Sequence, residues 1–463
     1  MADIRRGAFR RATKLAGLPA GVAGRAALGV GKRMTGKSRD EVNAEMLERA
    51  ADELFNVLGE LKGGAMKVGQ ALSVMEAAIP PQFAEPFREA LVKLQAEAPP
   101  LPAAKVHRVL DGQLGTRWRD RFESFDDTAV ASASIGQVHR GVWKDGRRVA
   151  VKIQYPGADE ALRADLKLIK RFSWVFKQLA PGADVDRLVN EIHDTLEAEL
   201  DYRQEADNQR AFAKAYADDD KFLVPLVVAS APKVIVSEWA EGRRLSAIIA
   251  EGTQQERDEA CARLLEFTVS SPARAGLVHA DPHPGNFMIM ADGRLGVIDF
   301  GAVAAHPGGI PPEFGELLCC GRDERWDDVI RLLKQLKFMP QHYELTADQL
   351  VEYLGPLWAY IDPLRAGEFH FTRAWFQRSA LATTDPFNEG FNDRFKMARQ
   401  LTIPAGYVML LRTLGGLLGV AVQLDATVNY AALIERWVPG FFPPGGTPAS
   451  AQTGGDSDPV SAP

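Results

Sequence analysis

His279-Ala280-Asp281-Pro282-His283-Pro284-Gly285-Asn286, followed by Asp299-Phe300-Gly301, is the stretch that decides the fold. Phosphoryl transfer needs a carboxylate to orient and deprotonate the acceptor. It also needs oxygen ligands for Mg²⁺ ions that bridge the phosphates. Asp281 is placed for the first task. Asn286, five residues on, and Asp299, eighteen residues after Asp281, are placed for the second. Between them, 287–290 and 295–298 read as short strands around a turn at Asp292-Gly293, a hairpin that brings Asn286 and Asp299 together. A rival reading makes His279, Asp281 and His283 a metal triad on one side of an extended segment. It leaves Asn286, Asp299 and the upstream Lys152 unexplained, and His279 reads better as a packed, hydrogen-bonded loop histidine.

Lys152 lies in Val149-Ala150-Val151-Lys152-Ile153. Strand alternation points Ala150 and Lys152 away from the three aliphatic residues. A half-buried lysine needs an anionic partner, and a nucleotide phosphate plus a glutamate would serve. An ordinary edge-strand lysine is the plain alternative. The candidate acids lie in Glu199-Leu200-Asp201-Tyr202-Arg203-Gln204-Glu205, read as helical, where Asp201 and Glu205 are four apart and share a face. One of them is expected to pair with Lys152. Upstream, Ala131, Ser132, Ala133 and Ser134 precede Ile135-Gly136-Gln137-Val138. Small residues there let backbone N–H groups approach phosphate oxygens, and alanine makes the loop stiffer than glycine would. Glu238, in a strand at about 233–239, is counted with the nucleotide-binding residues.

The organisation around these residues is ordered. Residues 41–98 read as helical, with Leu47, Ala50, Ala51, Leu54, Leu58 and Leu61 at helical spacing and an interruption at Pro80-Pro81. A Pro-bearing stretch at 98–102 precedes a short helix at 103–114. Two β-like runs, 136–142 and 148–154, flank Lys144-Asp145-Gly146, a strong hairpin signal. Helical stretches near 158–179 and 184–216 follow, then strands at about 222–228 and 233–239 and a helix at 255–275. The remainder to about 437 is mostly helical. The expected fold is α+β: a two-lobed protein-kinase-like layout behind an N-terminal helical extension. Its parts are a basic arm (1–40), the extension (41–120), an N-lobe (121–242), a helical C-lobe (243–438) and a disordered Pro/Gly/Ser tail (439–463).

Composition is that of a globular chain: 463 residues, 46% hydrophobic and 25% charged. Three cysteines, Cys261 and the adjacent Cys319 and Cys320, have no metal-type spacing and suit a reducing compartment. Residues 1–38 hold nine Lys or Arg against one acid. They carry +8 of a net −6, so the rest carries −14. That balance disfavours nucleic acid and suits an anionic surface met by the arm. The arm, Arg-rich and poor in acids, reads as a flexible segment, a lipid-surface helix or an organelle-import signal. No run reaches the ~20 apolar residues of a membrane span. The nearest, 408–422, contains Arg412 and several glycines and reads as a buried core helix.

Taken together, these residues resemble the UbiB/ADCK (aarF) family of atypical protein-kinase-like proteins, over roughly residues 45–330. Lys67, Gly69 and Gln70, in a glycine-rich helical stretch, match the family's Lys-x-Gly-Gln signature. Ala131 to Ser134 match its Ala-rich loop. Glu199 and Asp201 match its Glu-x-Asp element, Glu205 the helix acid that pairs with Lys152, and Asp281, Asn286 and Asp299 the catalytic and metal positions. The resemblance implies ATP/ADP and Mg²⁺ binding, with an extension packed over the site where a protein substrate would bind. There Lys67 would meet Glu199 and Asp201, so that Lys67, Gln70, Glu199 and Asp201 gate access. It further implies weak or absent protein phosphorylation, and ATPase or phosphotransferase activity linked to a lipid, quinone or other small amphipathic molecule at a membrane. The transmembrane pair of bacterial members has no counterpart in the sequence pattern, so membrane contact would come from the basic arm or a surface patch. The sparse cysteines and the lack of a secretory signal make the expected location cytoplasmic, peripheral to the membrane. The alternative is a nucleotide-responsive pseudokinase-type binding protein without turnover.

Overall fold

The computed structural model describes residues 101–133, 135–164, 200–376 and 403–442, with single positions between them. Lys67, Gln70, Ser134, Glu199, the basic arm, most of the N-terminal extension and most of the tail lie outside the described residues. In chain order the elements are α1 (Ala103–Leu114), β1 (Phe122–Ala133), β2 (Gly136–Trp143), β3 (Arg148–Gln154) and α2 (Tyr202–Ala215). Then come β4 (Phe222–Leu223), β5 (Val227–Ala231), β6 (Val234–Glu238), β7 (Gly242–Arg244), α3 (Leu245–Glu251) and α4 (Gln254–Ala275). β8 (Leu277–His279), β9 (Phe287–Met290), β10 (Leu295–Val297) and β11 (Val303–Ala305) follow. Of the later helices, α5 (Pro312–Arg322) and the long α6 (Ala405–Leu424) matter here. Two compact units result: residues up to Asp207 with Leu226–Trp239, and Asn208–Pro225 with the chain from Ala240.

The first unit is an antiparallel sheet in the order β1-β2-β3-β6-β5. Alternation sends Val149, Val151 and Ile153 to one face, where they pack with Val234 and Val236 against Val106, Leu110 and Leu114 of α1 and against Trp118. A smaller cluster holds Ile135, Ala158, Tyr202, Ala206 and Ile235.

In the second unit α4 is the central helix. A capping box starts it: Thr253 accepts from the Glu256 N–H, and Glu256 returns a bond to Thr253. Gly276, in the left-handed conformation at φ 65°, ends it. Its middle is buried on every face from Leu264 to Pro272, including the polar Glu266, Thr268, Ser270 and Ser271, so it presents no solvent face there. The expected core helix at 408–422 is α6, with Leu410, Leu417, Leu418, Ala421 and Leu424 buried in the same core. Among the described residues no helix is long and apolar enough to cross a membrane.

Three expectations need correction. The run 222–228 is two strands in different sheets, β4 and β5, because Pro225 between them has no N–H to continue a ladder. Of the helix expected near 184–216, residues 184–199 lie outside the described residues, Leu200 and Asp201 are non-helical, and α2 begins at Tyr202. Asp201 therefore sits ahead of α2, not on a face shared with Glu205, and its carboxylate accepts from the Arg203 N–H, the role of a capping aspartate. Finally, the Ala-rich loop is the end of a strand. Ala131, Ser132 and Ala133 close β1, opposite Val138, Gln137 and Gly136 of β2.

Candidate active site

Lys152 stands on β3, the middle strand of five, opposite Val138 on β2 and Ile235 on β6. The edge-strand alternative is thereby removed. Facing away from the aliphatic core, its Nζ donates to both Glu205 oxygens, at 2.8 and 3.0 Å. Glu205 is 5% exposed and the lysine side chain 14%. Tyr202, one helical turn before Glu205, places its ring 5.2 Å from the ammonium. Sequence reasoning missed Tyr202, although its i,i+3 spacing to Glu205 is the signal that exposes it.

Removing one partner of such a pair strands a buried charge, which costs roughly 3 kcal/mol, whereas replacing both by apolar groups costs far less. Glu205→Leu is therefore expected to lower the unfolding midpoint more than the double variant Lys152→Met/Glu205→Leu. Thermal denaturation monitored by circular dichroism checks the order. A double variant less stable than either single would contradict it.

The strand pairing also fixes the small-residue hairpin. A Cβ at Gly136 would lie 2.3 Å from the Ile153 carbonyl oxygen, so only glycine lets β2 approach β3 there. Glu238 closes β6, but its carboxylate has other partners: Arg147 at 3.3 Å and the Leu226 N–H at 3.3 Å. The Asp201 carboxylate is engaged by the Arg203 guanidinium at 2.6 Å, which holds its pKa below the usual carboxylate range.

In the second unit two short sheets set the remaining groups. β8 pairs with β11, with His279 opposite Val303 and the Ala280 N–H bonded to the Ala302 carbonyl. Asp281 thus leaves one strand just as Asp299-Phe300-Gly301 enters its partner. β9 pairs with β10, and the Ile298 N–H donates to the Asn286 carbonyl at 3.0 Å. That bond makes Asn286 and Asp299 neighbours, the arrangement the hairpin spacing led us to expect.

The local hydrogen bonds orient each group. Asn286 Nδ2 donates to the Asp281 carbonyl at 3.2 Å, which turns the amide oxygen the other way. Asp281 Oδ1 accepts from the His283 N–H at 3.3 Å, and Asp299 Oδ1 from the Gly301 N–H at 3.0 Å. His279 is 1% exposed. Its Nε2 donates to the Asp299 carbonyl at 2.7 Å, and its ring sits among Phe212, Phe267, Phe287 and Phe300. The packed-histidine reading fits this burial among aromatic rings, and among the described residues no group of three His, Cys, Asp or Glu side chains is placed to hold a metal ion.

Two supports were not foreseen. Asn208 Nδ2 holds the Phe300 carbonyl at 3.1 Å, and Pro282 packs on α6 so closely that a Cβ at Gly416 would lie 2.8 Å from its Cγ. Neither partner is near in sequence, so no local pattern signals them.

An amide oxygen and a carboxylate form an all-oxygen donor set of the kind Mg²⁺ takes. Asn286 and Asp299 fit that ion in the kind of donor they offer.

The chain is similar to known kinase-like proteins. Residues 93–317 match the ABC1 atypical kinase-like domain. "Atypical kinase coq-8, mitochondrial" of Caenorhabditis elegans is 28% identical over 433 residues, 89% of this chain and 54% of that protein. "Atypical kinase COQ8B, mitochondrial" of Rattus norvegicus is 31% identical over 299 residues, 64% of this chain and 56% of that protein. The chain thus spans about half the length of the curated relatives it matches. Among solved structures, the complex of Rv3197 with erythromycin from Mycobacterium tuberculosis is 53% identical. It has a TM-score of 0.65 and covers 87% of this chain and 99% of that one. The chain belongs to the UbiB family of ABC1 atypical kinase-like proteins.

Proposed function

We propose that this chain binds Mg-ATP and passes the terminal phosphoryl group to water or to a hydroxyl acceptor. The reaction would be coupled to a lipid, an isoprenoid quinone or another small amphipathic molecule at a membrane surface. The observation that carries the proposal is the Lys152–Glu205 pair, a half-buried cation on a central strand held by a buried carboxylate. Lys152 binds the α- and β-phosphates, and Glu205 keeps its ammonium in place. Asp281 orients the acceptor oxygen and takes its proton as that oxygen bonds to phosphorus and the bond to the ADP oxygen breaks. Asn286 and Asp299 hold Mg²⁺, which when bound offsets phosphate charge. The hairpin end at Ala131, Ser132, Ala133 and Ser134 covers the phosphates with backbone N–H groups.

Lys67, Gln70, Glu199 and Asp201 bias the site against protein substrates. Lys67→Ala is expected to raise autophosphorylation severalfold above the wild-type background in a radiolabel assay. No label on the variant would contradict the gating role.

A second reading is favoured by one observation, that the 53% identical relative was solved with erythromycin, a bulky amphipathic macrocycle. In that reading the chain binds such a molecule, and nucleotide changes its shape without being consumed. ADP release with and without erythromycin separates the two: steady turnover supports the enzyme, and erythromycin binding that depends on nucleotide without turnover supports the switch.

A further inference from the structure

Three contacts in the first unit, one buried and two part-buried, form a line. The Leu101 N–H donates to Gln137 Oε1 at 2.7 Å. The Gln137 amide nitrogen meets His139 Nε2 at 2.7 Å, and His139 Nδ1 meets the Asp126 carbonyl at 2.8 Å. Gln137 and His139 are 1% and 0% exposed.

The line has one direction. A backbone N–H only donates, so Gln137 turns its oxygen to Leu101 and its NH₂ to the histidine. A carbonyl only accepts, so His139 carries its hydrogen on Nδ1 and accepts through Nε2. Neutral His139 satisfies every group. Protonated His139 is a donor at both nitrogens, and its Nε2–H then faces the Gln137 NH₂. Turning the amide over moves the same donor–donor conflict to Leu101. Whichever way the amide points, one link breaks.

We infer that Gln137 and His139 form a proton-sensitive clamp, which fixes Leu101 to β2 beside the small-residue hairpin and lets go in acid. Gln137 is a positioning residue here: its backbone pairs with Ser132, and its side chain holds Leu101. In sequence, Leu101 follows the segment that carries Lys67 and Gln70. The coupling rests on the proposal that the hairpin covers the phosphates.

The groups around the imidazole are the Phe125 ring, stacked at 5.2 Å, Asp126, Asp127 and His107, with Arg119 bonded to His107 at 2.9 Å. Burial holds the His139 pKa below its ordinary 6.5, against the opposing Asp126 carbonyl and the Asp126 and Asp127 charges. A histidine with a lowered folded value stabilises fully above 6.5. That stability is lost as pH falls from 6.5 through the folded value. The clamp therefore holds at neutral pH.

The test is hydrogen exchange by mass spectrometry on the full chain from neutral to mildly acidic pH, with protection corrected for the intrinsic rate at each pH. Pro99, Pro100 and Pro102 have no N–H, so a fragment across them reports Leu101 without interference from its neighbours. In the wild type, Leu101 is expected to be protected at neutral pH. It should lose about tenfold in acid, the worth of one hydrogen bond. His139→Gln, whose amide accepts and donates at the same two ends without titrating, should keep its protection throughout. Gln137→Met should be unprotected at every pH. If His139→Gln fails to fold, the wild-type profile must still converge on that of Gln137→Met in acid.

An unprotected Leu101 in neutral wild type, or equal acid loss in His139→Gln, would overturn the clamp. Mg-nucleotide affinity should weaken over the same pH range in wild type and not in His139→Gln. Unchanged affinity while Leu101 is released would overturn the coupling to the hairpin. Leu101 exchange is read without nucleotide, so a chain with no ATP turnover would sink the proposed function and leave the clamp standing.

Discussion

Asp281→Asn is expected to leave Mg-nucleotide binding almost unchanged while ADP release falls by ~10²–10⁴-fold, the usual share of a positioned general base. The substitution is close to isosteric. An asparagine oxygen still accepts from the His283 N–H, and the contact from Asn286 goes to the Asp281 backbone carbonyl, which the change does not touch. What disappears is a group that takes a proton. Binding by calorimetry and turnover by ADP release, measured on the same preparation, make the test. A variant that turns over at the wild-type rate would remove Asp281 from the chemistry.

Asp299→Asn tests the metal assignment. The new side chain keeps the bond from the Gly301 N–H, and His279 still donates to the backbone carbonyl, so the turn is preserved. The site loses one full negative charge among its oxygen donors. Outer-sphere changes already cost about 10–100-fold in metal affinity, so loss of a ligand charge is expected to cost at least about 100-fold in Mg-dependent nucleotide affinity. Affinity without Mg²⁺ should change little. Equal Mg-dependent affinity in variant and wild type would refute the assignment.

The parts of the fold that were legible in sequence are those in which local pattern and tertiary context agree. Val149, Val151 and Ile153 alternate because one face of β3 is buried, and the same alternation places Lys152 on the other. The Asp292-Gly293 turn declares the hairpin that joins Asn286 to Asp299. Glu205 could be narrowed only to one of two acids, because its partner is 53 residues away and residue spacing does not reach that far.

Other elements were hidden for identifiable reasons. β1 reads Phe-Glu-Ser-Phe-Asp-Asp-Thr-Ala-Val-Ala-Ser-Ala, half-buried or exposed along its length with register shifts against β2, so neither alternation nor a buried run marks it. Asp201 looked helical because acids at four-residue spacing suit a helix face. An aspartate ahead of a helix suits a cap equally well, and the backbone at Leu200 decides for the cap. Gln137 and His139 passed for ordinary β2 residues. Their partners, Leu101 and Asp126, lie 36 and 13 residues from Gln137 and His139, respectively, and one of the two contacts is to a backbone N–H that no sequence pattern displays.

The central claim is that Mg-ATP is consumed. It is tested most directly by ADP release from Mg-ATP with the purified chain, in the presence and absence of anionic vesicles. The account predicts turnover that vesicles stimulate and that requires Asp281. Bound Mg-nucleotide with no ADP released in either condition would contradict it and leave a nucleotide-switched binding protein in its place.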